Sequence, residues 1–367
     1  MYSFLFIGGG IIGNSIAYYL AKRHSTSCTI IDPVGIAPAA SGKAGGFLAK
    51  DWSDGTPIRE LQRRSFDLHA EQAKHLGESN IDYRRLECVS VACDERSTNV
   101  KPKGKKLEGV EWADIGTVGS RMMGGHDTIA QVHPQKLCNA LWKYSQESVG
   151  SKLVVGKVVE ATIVDDKVAG VKLDDGTQLD CDALVVACGP WTEAAKSWFG
   201  KSNIGDSIPS MLGIKYHSIL IQSPRVLSQA VFFQGHGDPE VYPRPDGDAY
   251  ITGFPDQAIK VKESPGDEEV RSEKVHQLID ATKKTSSELG DIPPHTTQSC
   301  YLPTTIDGLP VIGPLPKVKG AYVASGHGCW GILNSPATGE AIAELLIEGK
   351  TKHIDLELLG IDSPFRR

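Results

Sequence analysis

The residues with the clearest chemical meaning open the chain. Phe4–Ile7 reads as a buried strand, Gly8-Gly9-Gly10-Ile11-Ile12-Gly13 as a glycine turn, and Asn14 to Lys22 as a helix. A second strand, Cys28-Thr29-Ile30-Ile31, ends at Asp32. In that context G-x-G-x-x-G has a mechanism: Gly8 permits a tight turn, Gly10 lets a pyrophosphate approach the backbone, and Gly13 lets the helix pack on the strand. Ile11 and Ile12 lie in the turn ahead of the helix, whose free N–H groups and partial positive charge suit phosphate. Asp32, 19 residues after Gly13, can accept the hydroxyl protons of an adenosine ribose and would repel a 2′-phosphate. The alternative is a glycine turn that binds nothing.

Three further stretches could touch the same ligand. Ser41-Gly42-Lys43-Ala44-Gly45-Gly46 is a small-residue loop just after the second strand, fit for close approach or for plain flexibility. Ala183–Cys188 is a continuous apolar strand of the parallel-sheet kind, ending in Gly189-Pro190-Trp191. Ligands of open α/β sheets sit at such carboxyl ends. Near the C-terminus, Gly326-His327-Gly328-Cys329-Trp330-Gly331-Ile332 leads into a helix expected over Pro336 to Glu348, with Ser335 as its cap. Loop N–H groups and a helix start there could stabilise negative charge on a reduced isoalloxazine ring. A nicotinamide dinucleotide needs one fingerprint. A flavin dinucleotide is longer and uses glycine turns at both ends of the chain.

The elements that must position these residues alternate in character. A helix is expected over 57–77, strands over Ile81–Cys93, and a helix from His133-Pro134 to Val149. A β-meander spans 152–181, strands fill 211–254, a polar helix covers 267–289, and a strand runs Thr297–Leu302. This gives an α/β fold with a β-rich insertion: a discontinuous Rossmann-like domain from 1–83, 128–205 and 306–367, and an antiparallel-sheet substrate domain from 84–127 and 206–305. The chain of 367 residues has a net charge of −6, which argues against a nucleic-acid surface. No apolar run approaches the ~18 residues of a membrane span, so no integral membrane segment is expected. A strand beginning at Tyr2 leaves no room for a leader. Eight cysteines without a C-x-x-C pair read as reduced thiols in a cytoplasmic protein. His126, His236 and His295 lack metal-ligand spacing, so no metal is expected. The basic run Lys101–Lys106 reads as a solvated turn.

Taken in order, GGGIIGNSIAYYLAKR with Asp32, SGKAGG, VVACGPWT, PTTIDGLPVIGP and SGHG…PATGEAIAELL resemble the D-amino-acid oxidase superfamily, with the glycine-oxidase and sarcosine-oxidase branches nearest. The resemblance covers the whole chain. It implies an FAD domain of the glutathione-reductase type with a β-sheet substrate domain over the flavin. Gly8, Gly10 and Gly13 would hold the pyrophosphate, Asp32 the ribose, and Val158 would lie near the adenine. Ser41, Gly42, Lys43, Ala44, Gly45 and Gly46 would lie along the flavin. Gly189 and Trp191 would line it, and Gly326, His327, Gly328, Gly331 and Ile332 would surround its pyrimidine end. The implied chemistry is hydride transfer from an amine-type substrate to flavin N5, imine hydrolysis, and reoxidation by dioxygen or another acceptor.

Three positions depart from the pattern. Leu302 stands where glycine oxidases carry a carboxylate-clamping arginine, and Trp330 where sarcosine oxidases carry a lysine. Ile251 stands for their oxygen-activating lysine. Arg244 or Lys43 could supply a missing cation, so His327, Arg244 and Trp330 are the candidate catalytic residues. Cys300, seven residues before Asp307, matches the thiol that holds flavin covalently in sarcosine oxidases, or is a small packing residue. The chain also resembles a cytoplasmic fungal branch associated with late-endosome-to-Golgi transport. That resemblance implies the alternative of an FAD-binding interaction protein with peripheral endosomal association and little oxidase activity.

Overall fold

A computed structural model describes residues 2–96, 110–199 and 204–366; the Lys101–Lys106 run lies outside them. Phe4–Ile7 pairs in parallel with Thr29–Asp32 on one side and Ala183–Val186 on the other. The sheet extends through Lys152–Val155 at one edge and through Ala321–Ser325 and antiparallel Val311–Pro314 at the other, six strands in all. Phe-Leu-Phe-Ile and Ala-Leu-Val-Val are buried throughout because both sheet faces are covered. One face packs on helices Ile11–His24, Pro134–Val149 and Gly331–Glu348. The other packs on a three-stranded sheet, Val158–Val164, Lys167–Leu173 and Gln178–Asp180. The 152–181 meander is therefore divided: its first strand joins the parallel sheet and only the rest forms the small sheet.

The first and last helices nearly touch. A Cβ on Gly339 would stand 2.6 Å from the carbonyl carbon of Ser15. Arg64 clamps the buried carboxylate of Glu340 bidentately at 2.9 and 3.0 Å, and Arg23 reaches the same group. Three helices are thus tied at one point.

The second sheet has eight strands: Glu87–Cys93, Thr117–Gly124, Met211–Gln222, Gln229–Gln234, Glu240–Pro243, Asp248–Gly253, Ala258–Ile259 and Thr296–Thr305. All pairs are antiparallel except Gln229–Gln234 with Glu87–Cys93. Period-2 alternation sends Val89, Val91, Ile219, Val231, Phe233, Val241 and Ile251 into one core with Leu278 of helix Ser272–Thr285. Phe232, Glu240, Tyr242 and Tyr250 alternate with them and face the first domain. No helix among the described residues is long and apolar enough to cross a membrane.

One boundary differs from expectation in a way that matters for the site. The last helix begins at Gly331, so Pro336 lies inside it rather than at its start. Proline has no N–H for the Ile332 carbonyl, and the Ala337 N–H turns to Ser65 Oγ at 3.1 Å. The freed Ile332 and Leu333 carbonyls both accept from His69 Nε2, at 3.0 and 3.1 Å. Two carbonyl partners fix the proton on Nε2. Burial pulls the pKa of His69 down to about 4, so the ring stays neutral.

Candidate dinucleotide and active site

The first glycine turn is shaped by main-chain contact. Gly8 has φ +119°, and a Cβ there would lie 2.3 Å from the Ala187 carbonyl oxygen; a Cβ on Gly13 would lie 2.2 Å from the Gly8 carbonyl oxygen. These two glycines bring strand, helix and neighbouring strand together. Asp32 accepts from Gly9 N at 2.8 Å and from Val34 N and Gly35 N at 2.9 Å. A carboxylate has about four acceptor positions, so the group is locked with room for roughly one more donor rather than two. Ser41 Oγ accepts from Ile11 N at 2.9 Å and ties the small-residue loop to the helix start.

A cavity of about 570 Å³ begins here and runs between the domains. At one end lie Gly8, Gly10, Ile11, Ile12, Asp32, Ser41, Ala44 and Val158. Gly189 and Trp191 line its flank, and Gly326, His327, Gly328, Gly331 and Ile332 line its other end. Gly189 and Gly328 carry φ +52° and +57°, and a Cβ on either would meet no protein atom within 4 Å. Their bare backbone serves the cavity and not protein packing, as a bound dinucleotide requires. The residues present therefore fit an FAD.

Other predicted positions serve packing instead. Gly13, Gly42, Lys43, Gly45, Gly46 and Cys300 are not among the cavity's walls. A Cβ on Gly45 would stand 2.3 Å from the Tyr242 ring, and one on Gly46 1.9 Å from the Val132 carbonyl oxygen. Lys43 is paired with buried Glu268. Cys300 is buried, and that burial pushes its thiol up to about 12.

The three candidate catalytic residues separate. His327 lines the cavity, is 5% exposed, and is held by Thr338 Oγ1 at 3.1 Å. Burial lowers its pKa to about 3, so it is a neutral polar group. Arg244 is outside the cavity's walls. Its guanidinium reaches His133 Nε2 at 3.4 Å and the Ala44 carbonyl at 3.3 Å and lies over the Tyr250 ring, with Nε buried and without a partner. Trp330 packs edge-on to Trp52 with centroids 6.0 Å apart. Leu302 does line the cavity, with no cation in its place. Ile251 points into the outer core, so no side chain at that position faces the cavity.

One wall of the cavity carries no motif in the sequence. Lys262, Glu263, Ser264, Pro265 and Asp267 come from the second domain and close the flank. Trp191 Nε1 donates to the Glu263 carbonyl at 2.7 Å, Lys215 Nζ to the Glu263 carboxylate at 2.7 Å, and the Tyr301 hydroxyl also donates to it. Burial raises the Glu263 pKa, but the side-chain bonds from Lys215 and Tyr301 outweigh it and hold the carboxyl below its usual range. The Pro265-Gly266 turn was the only local signal.

The FAD-dependent oxidoreductase (DAO) family matches residues 4–345. A Schizosaccharomyces pombe protein named as an oxidoreductase, C1F5.03c, is 31% identical over 96% of both chains. Glycine oxidase of Geobacillus kaustophilus is 26% identical, covering 97% of this chain and 95% of that one. The crystal structure of glycine oxidase from Geobacillus kaustophilus superposes with a TM-score of 0.80 at 22% identity, over 98% of this chain and 99% of that one. L-proline dehydrogenase from P. horikoshii gives 0.79 at 21%, over 98% and 96%. With the glycine turns, the bridging cavity and these relatives in agreement, the chain belongs to the DAO family of FAD-dependent oxidoreductases.

Proposed function

We propose that the cavity holds FAD with its ADP half along Gly8–Ile12, Asp32 and Val158, its ring system toward Gly326–Gly331, and that the chain oxidises a small amine at that ring. The observation that supports this most is the continuity of one cavity from Asp32 to Leu302 and Gly328. A shorter ligand would engage one glycine turn only. When bound, FAD supplies the hydride acceptor. Asp32 and the start of helix Ile11–His24 orient the nucleotide half. The start of helix Gly331–Glu348 directs its partial positive charge at the ring end, where it favours the negative charge that reduction creates.

With FAD bound, a primary or secondary amine would give up hydride from carbon and a proton from nitrogen, and a tertiary amine hydride alone. Water would hydrolyse the imine or iminium to a carbonyl compound and ammonia or a smaller amine, releasing the second proton in the tertiary case. Dioxygen or another acceptor would take the two electrons and two protons. Neutral His327 offers hydrogen bonding and no charge. Leu302 and Trp330 leave no cation at the positions where related oxidases clamp a carboxylate, so an amine without that group suits the site. We favour this reading over the interaction role because one cavity that joins both glycine turns, with a helix start at its far end, serves chemistry. Anaerobic addition of primary, secondary and tertiary amines to the yellow protein tests it. Bleaching by at least one, with hydrogen peroxide formed on readmitting air, is expected; a flavin that stays oxidised across the panel contradicts turnover of amines.

A further inference from the structure

The flank that the second domain lends to the cavity is one strap of chain, residues 262–268. Its ends are drawn together, because Asp256 ahead of it pairs with Arg271 behind it and with Lys274 Nζ at 3.2 Å, as in an Ω-loop. Among the described residues the strap makes one main-chain to main-chain hydrogen bond, and that one is internal: Asp267 N donates to the Ser264 carbonyl at 3.1 Å. Lys262, Ser264 and Asp267 line the cavity and are exposed, so little packs over the strap from outside.

Side chains hold it down, from both domains. On the first-domain side, Trp191 Nε1 donates to the Glu263 carbonyl at 2.7 Å, and Lys43 pairs with Glu268, whose side chain is fully buried. Pro38 stands under the turn at Gly266, and Pro38 and Pro265 both line the cavity. On the second-domain side, the Glu263 carboxylate accepts from Lys215 Nζ at 2.7 Å, from the Tyr301 hydroxyl, and from Glu269 N at 3.2 Å. Glu263 thus joins the strap to both domains at once. Lifting it strips Lys215, 5% exposed, of its carboxylate, and a buried charge left alone is costly. The rest of the attachment is a few side-chain bonds with no main-chain ladder, so the strap can open as a unit while the sheet beneath stays intact.

We propose that residues 262–268 are a latch across the cofactor cavity, with Glu263 as its catch, and that the cofactor enters and leaves when this strap lifts. The proposal rests on the FAD reading above and adds the route and its control. A fixed wall would make a dinucleotide thread lengthwise between two glycine turns. A strap that lifts admits it sideways.

The double variant Pro38→Cys with Gly266→Cys tests this. A Cβ on Gly266 stands 3.7 Å from the Pro38 Cβ, the spacing of a disulfide, so oxidation staples the strap shut and reduction frees it. The reduced sample carries the same substitutions, so the strain of a side chain at φ +92° falls on both states. With the cross-link confirmed by mass, protein loaded with FAD and then oxidised should lose flavin about tenfold or more slowly than when reduced. Apoprotein oxidised before loading should take FAD up more slowly by a similar factor. Glu263→Gln replaces charge-assisted bonds by neutral ones and should speed both dissociation and association of FAD about tenfold, leaving the affinity nearly unchanged. A wall contact that merely held the cofactor would raise dissociation alone. Flavin exchange at the same rate in the cross-linked and reduced forms, or an unchanged association rate in Glu263→Gln, would overturn the proposal. A wild-type protein that takes up no FAD counts against the cofactor assignment, whereas a yellow protein indifferent to the staple counts against the latch alone.

Discussion

At the Asp32 end of the cavity the walls come from the first glycine turn, Asp32, the loop through Ser41 and Ala44, and Val158, with Gly8 pressed against the Ala187 carbonyl. At the Gly326 end they are side chains and loop segments from four distant parts of the sequence: Trp191, Lys262–Asp267, Leu302 and Gly326–Ile332. On the proposed reading the first end would hold the dinucleotide, where an added atom on Gly8 or Gly13 would meet main chain, and the second end would meet the reacting ligand. The two ends are built from different material, so the second could change without the first.

Replacing one glycine at each end is the strongest way to break that contrast. Gly8→Val places its Cβ against the Ala187 carbonyl in a backbone region that valine avoids. It should cost about 3 kcal/mol or more of stability and abolish flavin retention, read by denaturant midpoint and visible absorption. Gly328→Ala meets open space at φ +57° and should cost only about 1–2 kcal/mol, yielding a folded protein with weakened flavin. Equal damage from both would erase the distinction.

Acid should act on the ring end. His69 and His327 are buried and neutral there, with folded pKa values of about 4 and about 3 against roughly 6.5 in the unfolded chain. Their folded values are depressed, so the unfolded state takes up protons first as pH falls. Stability is whole above about pH 6.5 and declines steadily toward about pH 4. At about pH 5 each histidine should cost roughly 2 kcal/mol. His69→Asn should flatten the slope of the unfolding midpoint against pH, whatever its effect on the midpoint itself. An unchanged slope would remove His69 from the account.

A smaller effect should follow at the flank. Trp191→Phe keeps the ring and deletes the 2.7 Å bond to the Glu263 carbonyl, worth about 1 kcal/mol. Flavin should dissociate about fivefold faster, with the spectrum unchanged. The smallest effect belongs to Cys300→Ala. A thiol held protonated by burial is a poor nucleophile, so acid-precipitated wild-type protein should release its flavin into the supernatant, and the variant should do the same. Flavin that stays with the pellet in the wild type alone would restore a covalent link.

The legibility of the site follows the same division. Gly8, Gly10, Asp32, Gly189 and Gly328 could be read from the sequence because a turn that admits a ligand leaves glycines at fixed offsets. Gly45 and Gly46 leave the same imprint for another reason, since the Tyr242 ring and the Val132 carbonyl crowd them, and one sequence does not say what approaches a bare backbone. The start of the last helix was misplaced at Pro336. The residue that satisfies the freed carbonyls, His69, is 263 positions away. The α/β fold with its second, β-rich sheet was legible because strand alternation, buried apolar strands and turn residues are local, whereas the division of the 152–181 meander between two sheets depends on pairing with Thr29–Asp32.

The most direct measurement is the electron density of crystals grown with FAD. The account predicts the adenosine ribose beside Asp32 and the ring system between Gly326–Gly331 and the face bearing Tyr242. A ring system lying elsewhere, or a nucleotide that leaves Asp32 without a new hydrogen bond, would contradict it.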